Sequence, residues 1–155
     1  MPTPDGRLKE LGITLPPAPA PVGSYVPFVR VGDLVFTSGQ LPIREGKLTA
    51  TGKVGTAGLS IDQAAEAAKV AVLNALAQVA AAAGGLANVT RIVRIGVFVN
   101  SADGFIDQPK VANGASDLLV AVFGDAGRHA RSAVGVNELP LNAAVEIELI
   151  AQVKS

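Results

Sequence analysis

Residues 129–152 read His-Ala-Arg-Ser-Ala-Val-Gly-Val-Asn-Glu-Leu-Pro-Leu-Asn-Ala-Ala-Val-Glu-Ile-Glu-Leu-Ile-Ala-Gln. Two alternating runs joined by a short turn predict strands over 131–136 and 145–153, paired as a hairpin. In the first run Ser132, Val134 and Val136 share one face, and Arg131, Ala133 and Gly135 share the other. In the second, Val145, Ile147, Leu149, Ala151 and Val153 line one face, with Glu146, Glu148, Ile150 and Gln152 opposite. If the valine-bearing faces meet one core, Arg131 and Glu146 fall together on the far face, among small residues. Such residues beside an arginine leave room for a ligand or another chain.

Working outward, residues 7–11 predict a short helical turn stopped by Gly12. The Pro/Ala run over 16–21 cannot be a helix or a central strand and reads as an extended lead-in. Strands are expected over 25–31 and 34–38, joined at Gly32-Asp33 and ended by Gly39. The stretch 47–54 reads as irregular strand or loop. Ser60 and Gln63 form a capping box that opens a helix running to about Ala83, with Gly84-Gly85 as its stop. A third strand over 89–100 puts Val93, Ile95, Val97 and Val99 on one face and Arg94, Gly96 and Phe98 on the other. A second helix spans 105–123, with Pro109 in its early turn and Gly114 weakening its middle.

The order ββαβαββ predicts an α+β single domain, one sheet with two helices packed on one face. A Pro-rich extension over 1–21 precedes a domain over 22–155. The uncovered face would carry Phe36, Gly96, Phe98, Ala133, Gly135 and Ile150 beside Arg94, Arg131 and Glu146. A half-apolar open face predicts a homo-oligomer with its site at the subunit boundary.

The 155 residues suit one domain. At 49% hydrophobic and 17% charged the chain is globular rather than disordered. Zero net charge and no Lys/Arg cluster argue against a nucleic-acid partner. The absence of cysteine excludes disulfides, thiolate catalysis and Cys-based zinc sites, and one histidine cannot build an imidazole-rich metal site. The N-terminus lacks an apolar signal core, and Asp62, Glu66 and Lys69 interrupt the most apolar segment. A cytoplasmic protein with no membrane span is expected. No Walker loop, dinucleotide fingerprint, serine elbow or His-Glu-x-x-His motif is present.

Arg131 offers a planar fork for a carboxylate, or else a structural ion pair with Glu146 or Glu148. Glu146 fits proton shuttling or water positioning, and equally fits a solvated strand glutamate. Tyr25 could orient a ligand through its hydroxyl or simply pack with a wet tip. Ser38 and Gly39 end a strand where a hydroxyl and an amide suit an anion or a plain turn. His129 has no second histidine or cysteine with it and reads as a surface or helix-end residue.

Gly23-Ser24-Tyr25, Phe36-Thr37-Ser38-Gly39-Gln40, Val97-Phe98-Val99, the run from Arg131 to Val136, Leu139-Pro140 and Val145-Glu146-Ile147-Glu148 together resemble the YjgF/Rid (reactive intermediate deaminase) family, also labelled endoribonuclease L-PSP. The resemblance covers nearly the whole domain. It implies a chorismate-mutase-like fold and a homotrimer with sites in the subunit clefts. It further implies cofactor-free hydrolysis of small enamines and imines bearing a carboxylate, giving 2-keto acid and ammonia. Matched residue by residue, Arg131 would grip the carboxylate and Glu146 would position the attacking water. Tyr25 and Ser38 would line the pocket, and the amides of Gly39 and Ala133 would sit near the substrate. Ala133 stands where the family often has cysteine, and the 44–58 loop and N-terminus are longer, which resembles a divergent branch. Two other functions stay open: non-catalytic binding or sensing of small carboxylates, and the ribonuclease activity of the family label.

Overall fold

The computed structural model describes residues 2–20 and 23–155. The boundary expected between residues 21 and 22 lies outside the described residues. Helix α1 (Pro4–Glu10) is capped by Thr3, whose hydroxyl accepts the Gly6 N–H, and Gly12 follows at a φ of 71°. Its Leu8 is buried in the main core. Residues 16–20 then run without regular structure, and the buried Gln78 side chain donates to the Pro19 carbonyl.

Strands β1 (Phe28–Val31) and β2 (Leu34–Thr37) pair across Gly32-Asp33, as the turn residues indicate. A small hairpin of β3 (Ile43–Arg44) and β4 (Lys47–Leu48) follows. The rest of the loop is pinned rather than loose. Thr51 bridges Ala143, fully buried Val54 bridges Leu59 and Ser101, and the Lys53 ammonium reaches Asn100 Oδ1, the Asn137 carbonyl and Glu138.

Helix α2 (Ile61–Ala83) opens on the expected capping box. Ser60 Oγ accepts from the Gln63 N–H at 3.1 Å, and Gln63 Oε1 accepts from the Ser60 N–H at 2.9 Å. Ser60→Ala should therefore cost about 1 kcal/mol of stability, read as a lowered urea midpoint with an unchanged m-value. Gly84 ends the helix in the left-handed conformation. By length and composition α2 could cross a bilayer, but 72% of its apolar window is buried inside the fold.

Strand β5 (Val89–Asn100), helix α3 (Gln108–Phe123), strand β6 (Ala130–Val136) and strand β7 (Val145–Val153) complete the chain. The five-stranded sheet has the order β1-β2-β7-β5-β6, antiparallel except for the β5–β6 pair. Helices α2 and α3 cover one face, as expected, and the alanines of α2 let the layers approach closely. Gly114 has a packing reason: a Cβ there would fall 2.2 Å from the Ala65 carbonyl oxygen, so α3 crosses α2 backbone against backbone.

Three strand readings are corrected. First, β6 and β7 are not a hairpin. β5 lies between them, and β6 runs parallel to it, with Ile95 opposite Arg131 and Val97 opposite Ala133. Second, the faces of β6 are reversed. Ser132, Val134 and Val136 look onto the open face with Gly96, Phe98, Glu146 and Glu148. Arg131, Ala133 and Gly135 are on the helix side, so only Arg94, Gly96, Phe98, Phe36, Ile150 and Glu146 occupy the open face as expected. Third, β5 is irregular between Ile92 and Arg94, so Ile92 is buried where Val93 was expected, and Val93 is exposed. An extra residue in a bulge breaks the period of two, and no alternation count detects it.

Candidate functional site

The residues singled out in the sequence form two groups. The first sits at the end of β2. Gly39 lies directly under Glu146: a Cβ on Gly39 would be 2.2 Å from Glu146 Oε1 and 2.9 Å from its carboxyl carbon. Only glycine lets the carboxylate rest there. Next to it, the Ser38 hydroxyl donates to the Val26 carbonyl at 2.6 Å. That bond ties the segment carrying half-exposed Tyr25 to the same strand end.

Glu146 is half-buried on the open face between Phe98 and its strand neighbours. Its carboxyl is held above the usual glutamate value, first because burial disfavours the charged form and second because Glu148 carries like charge. A carboxyl raised in this way exchanges protons closer to neutral pH than an exposed one.

The second group sits on β6. Arg131 points onto α3. Its Nη1 donates to Asn113 Oδ1 at 2.9 Å and to Ser116 Oγ at 3.0 Å, and Nη2 approaches the Pro109 carbonyl at 3.4 Å. Every one of these acceptors is neutral. Among the described residues no carboxylate lies within ion-pair distance of Arg131, so neither Glu146 nor Glu148 is its partner. A pocket of about 290 Å³ opens beside it, lined by Ser116, Asp117, Val120, Arg128, His129 and Arg131. Ala133 packs its methyl group against the core one turn of the pleat further on.

One chain does not bring the two groups together. Gln40, Ile147, Val97 and Ala133 stand in a row across β2's end, β7, β5 and β6. Three strand spacings place the Gly39 end about 14 Å from Ala133. Glu146 and Arg131 also lie on opposite faces of the sheet. The arrangement is two separate groups: a half-buried carboxyl on an open face, and an unneutralised guanidinium on the edge strand β6.

The sequence reading missed Asn113 and Ser116. Their spacing of three puts them on one helical face, which is a visible signal. What it does not reveal is that this face lies over β6. Among the described residues no group of three or more His, Cys, Asp or Glu side chains is placed to hold a metal.

The fold and these positions define the YjgF/chorismate mutase-like family, whose description also carries an endoribonuclease label. The family profile matches residues 5–153, and the chain belongs to this family. Among curated relatives, Protein TCP17 of Trypanosoma cruzi is 45% identical over 96% of this chain and 93% of its own. The 2-iminobutanoate/2-iminopropanoate deaminase of Dermatophagoides farinae is 32% identical over 92% of this chain and 95% of its own. A crystal structure of an Agrobacterium tumefaciens protein of unknown function superposes with a TM-score of 0.90 at 46% identity, covering 98% of this chain and 94% of that one.

Proposed function

We infer that the protein is a cofactor-free hydrolytic deaminase of small enamine and imine intermediates that bear a carboxylate. The observation that carries this reading is Arg131: a fixed cation held only by neutral oxygens, with part of its fork unused. A cation left uncompensated in a partly buried place calls for an anion, and the planar fork selects a carboxylate or a similar oxyanion. The deaminase name of the Dermatophagoides relative supports the reaction class.

In this reading Arg131 of one copy binds the substrate carboxylate, and Glu146 of a neighbouring copy meets the imine carbon from the other side. Water adds to that carbon as Glu146 takes its proton. That proton passes to nitrogen to give the carbinolamine; the hydroxyl then yields its remaining proton, by way of Glu146, to the amino nitrogen as the C=O bond forms and the C–N bond breaks, and 2-keto acid and ammonia leave. An enamine first gains a proton at carbon to become the imine. Gly39 and Ala133 contribute backbone amides, while Tyr25 and Ser38 line the cleft. The separation of the two groups supports assembly from two copies, and the homotrimer implied by the sequence resemblance supplies such a junction. The half-apolar open face, with Phe36, Phe98, Val134 and Ile150, is the surface such an assembly would cover.

The test generates imines in situ with an amino-acid oxidase and follows keto-acid release with time. Wild type is expected to speed imine loss, and no acceleration with any imine would sink the deaminase reading. Saturable pyruvate binding by calorimetry without turnover would assign the cleft to binding alone. Light scattering is expected to give an oligomer, whereas a stable monomer that still turns over imines would overturn the two-copy site.

A further inference from the structure

Arg131 does not hang on Ser116 alone. Ser116 Oγ lies 2.9 Å from His129 Nε2, and His129 Nδ1 lies 2.6 Å from the Gly127 carbonyl oxygen. With the ring neutral, the donors and acceptors of this chain resolve in one direction. A carbonyl only accepts, so His129 Nδ1 carries the ring hydrogen. The Ser116 oxygen already accepts from Arg131, and its own hydrogen needs an acceptor. The bare Nε2 supplies it. The bonds therefore run Arg131 to Ser116 to His129 to Gly127, each group donating to the next.

The far end of this chain is rigid. Gly127 is buried, and a Cβ there would fall 2.2 Å from the Leu119 carbonyl oxygen and 3.1 Å from Val120 Cα. Its backbone is thus packed onto α3 with no slack. The anchor, the serine and the arginine's second acceptor, Asn113, belong to α3 or lie against it. The guanidinium is consequently registered to α3 rather than to its own strand.

Resting on the reading of Arg131 as the carboxylate anchor, we propose that His129 and Ser116 are positioning residues that fix the orientation of the Arg131 fork. They satisfy one side of the guanidinium with oriented neutral acceptors, so its charge is not cancelled and its remaining N–H groups are aimed at the ligand. A carboxylate in their place would hold the arginine as firmly and neutralise it. Because the ring accepts rather than donates at Nε2, it adds no second positive charge beside Arg131. Asp117 and Arg128 are the other charged groups lining this pocket, and neither is a link of the relay.

The chain has a single histidine, so its ring nitrogens are assignable without selective labelling. A long-range proton–nitrogen NMR spectrum of the full-length protein is expected to show the hydrogen on Nδ1. In Ser116→Ala the hydrogen should stay on Nδ1, held by the Gly127 carbonyl, while the Nε2 resonance moves as its donor is lost. With 2-iminopropanoate generated in situ, Ser116→Ala and His129→Phe should raise KM about tenfold while kcat stays within about twofold. Ser116→Thr and His129→Gln keep the needed acceptors and should return KM to near the wild-type value. A wild-type ring with its hydrogen on Nε2, an unchanged KM in Ser116→Ala, or a Thr variant no better than Ala would each overturn the proposal. Failure of the deaminase reading looks different: wild type would neither turn over the imine nor bind pyruvate. The relay is then judged by hydrogen exchange of the Arg131 side chain. Exchange slowed in wild type and released in Ser116→Ala supports it, and equal exchange in the two refutes it.

Discussion

Arg131→Ala should lower kcat/KM for carboxylate-bearing imines by about 30- to 5,000-fold. Truncating one partner of a buried, hydrogen-bonded charge pair costs about 2–5 kcal/mol, and each 1.36 kcal/mol is one decade in rate. The loss should appear chiefly in KM if the carboxylate is held equally in ground and transition states. The fold should tolerate the change, because Asn113 is exposed and Ser116 is only partly buried, so water can replace the guanidinium at both. Arg131→Lys should recover little. An ammonium is a point charge and cannot serve Asn113, Ser116 and a bidentate ligand at once. Steady-state kinetics beside a thermal melt separates the two effects. A variant within threefold of wild type would remove Arg131 from the reaction.

Glu146→Gln should lower kcat by roughly 10²- to 10⁴-fold, the usual worth of a positioned acid–base group. The same substitution should make the protein more stable at pH 7. The folded-state value of Glu146 is raised, so the native state holds its proton to higher pH than the unfolded chain does. Stability contributed by the protonated form is therefore lost as pH rises from the ordinary glutamate range through the raised value. Glutamine never ionises and escapes that loss. Its stabilising effect should fade at about pH 3, more than a unit below the ordinary glutamate pKa of about 4.3, where the carboxyl is protonated in both folded and unfolded chains. Melting curves of the two proteins at both pH values test this. A glutamine variant less stable than wild type at pH 7 would contradict the burial argument. Lower activity with higher stability is the pattern expected where a site keeps a group in an unfavourable place for its chemistry.

Local chemistry carried much of the fold into the sequence. The Ser60–Gln63 capping box, the Gly32-Asp33 turn and the strict alternation of 145–153 each specify their own element, and each is found. Pairing between distant strands left no such mark. The parallel alignment of β5 and β6 depends on where α3 returns the chain, whereas adjacency in sequence points to β6 and β7 as a pair. The faces of β6 were misread for a related reason. Val134 and Val136 are its most apolar residues, and an isolated chain would bury them. In the fold they belong to the open face. The side of the strand that meets α3 carries Arg131, Ala133 and Gly135 instead, because an arginine satisfied by helix side chains can occupy a position that aliphatic residues fill elsewhere.

The candidate site was legible by residue type but not by arrangement. Arg131 and Glu146 stand out as charges among small or apolar neighbours. Their relation does not, since one inserted strand puts them on opposite faces. By sequence His129 reads as a surface or helix-end residue. Its hydrogen bonds to Gly127 and Ser116 depend on how a short turn packs against α3, which no local pattern encodes.

The sheet order has a consequence for synthesis. Among the described strands β7 comes last in sequence and lies in the middle of the sheet, with β2 on one side and β5 on the other. The hydrogen bond from the Leu149 N–H to Thr37 Oγ1 closes a sequence separation of 112 residues. Until residues 145–153 leave the ribosome, the β1–β2 and β5–β6 pairs have no common partner, and α2 has no finished floor to lie on. The nascent chain must hold its apolar helix unsheltered until residues 145–153 are made, more than 60 residues after α2, and that closure joins contacts distant in sequence, the slow kind.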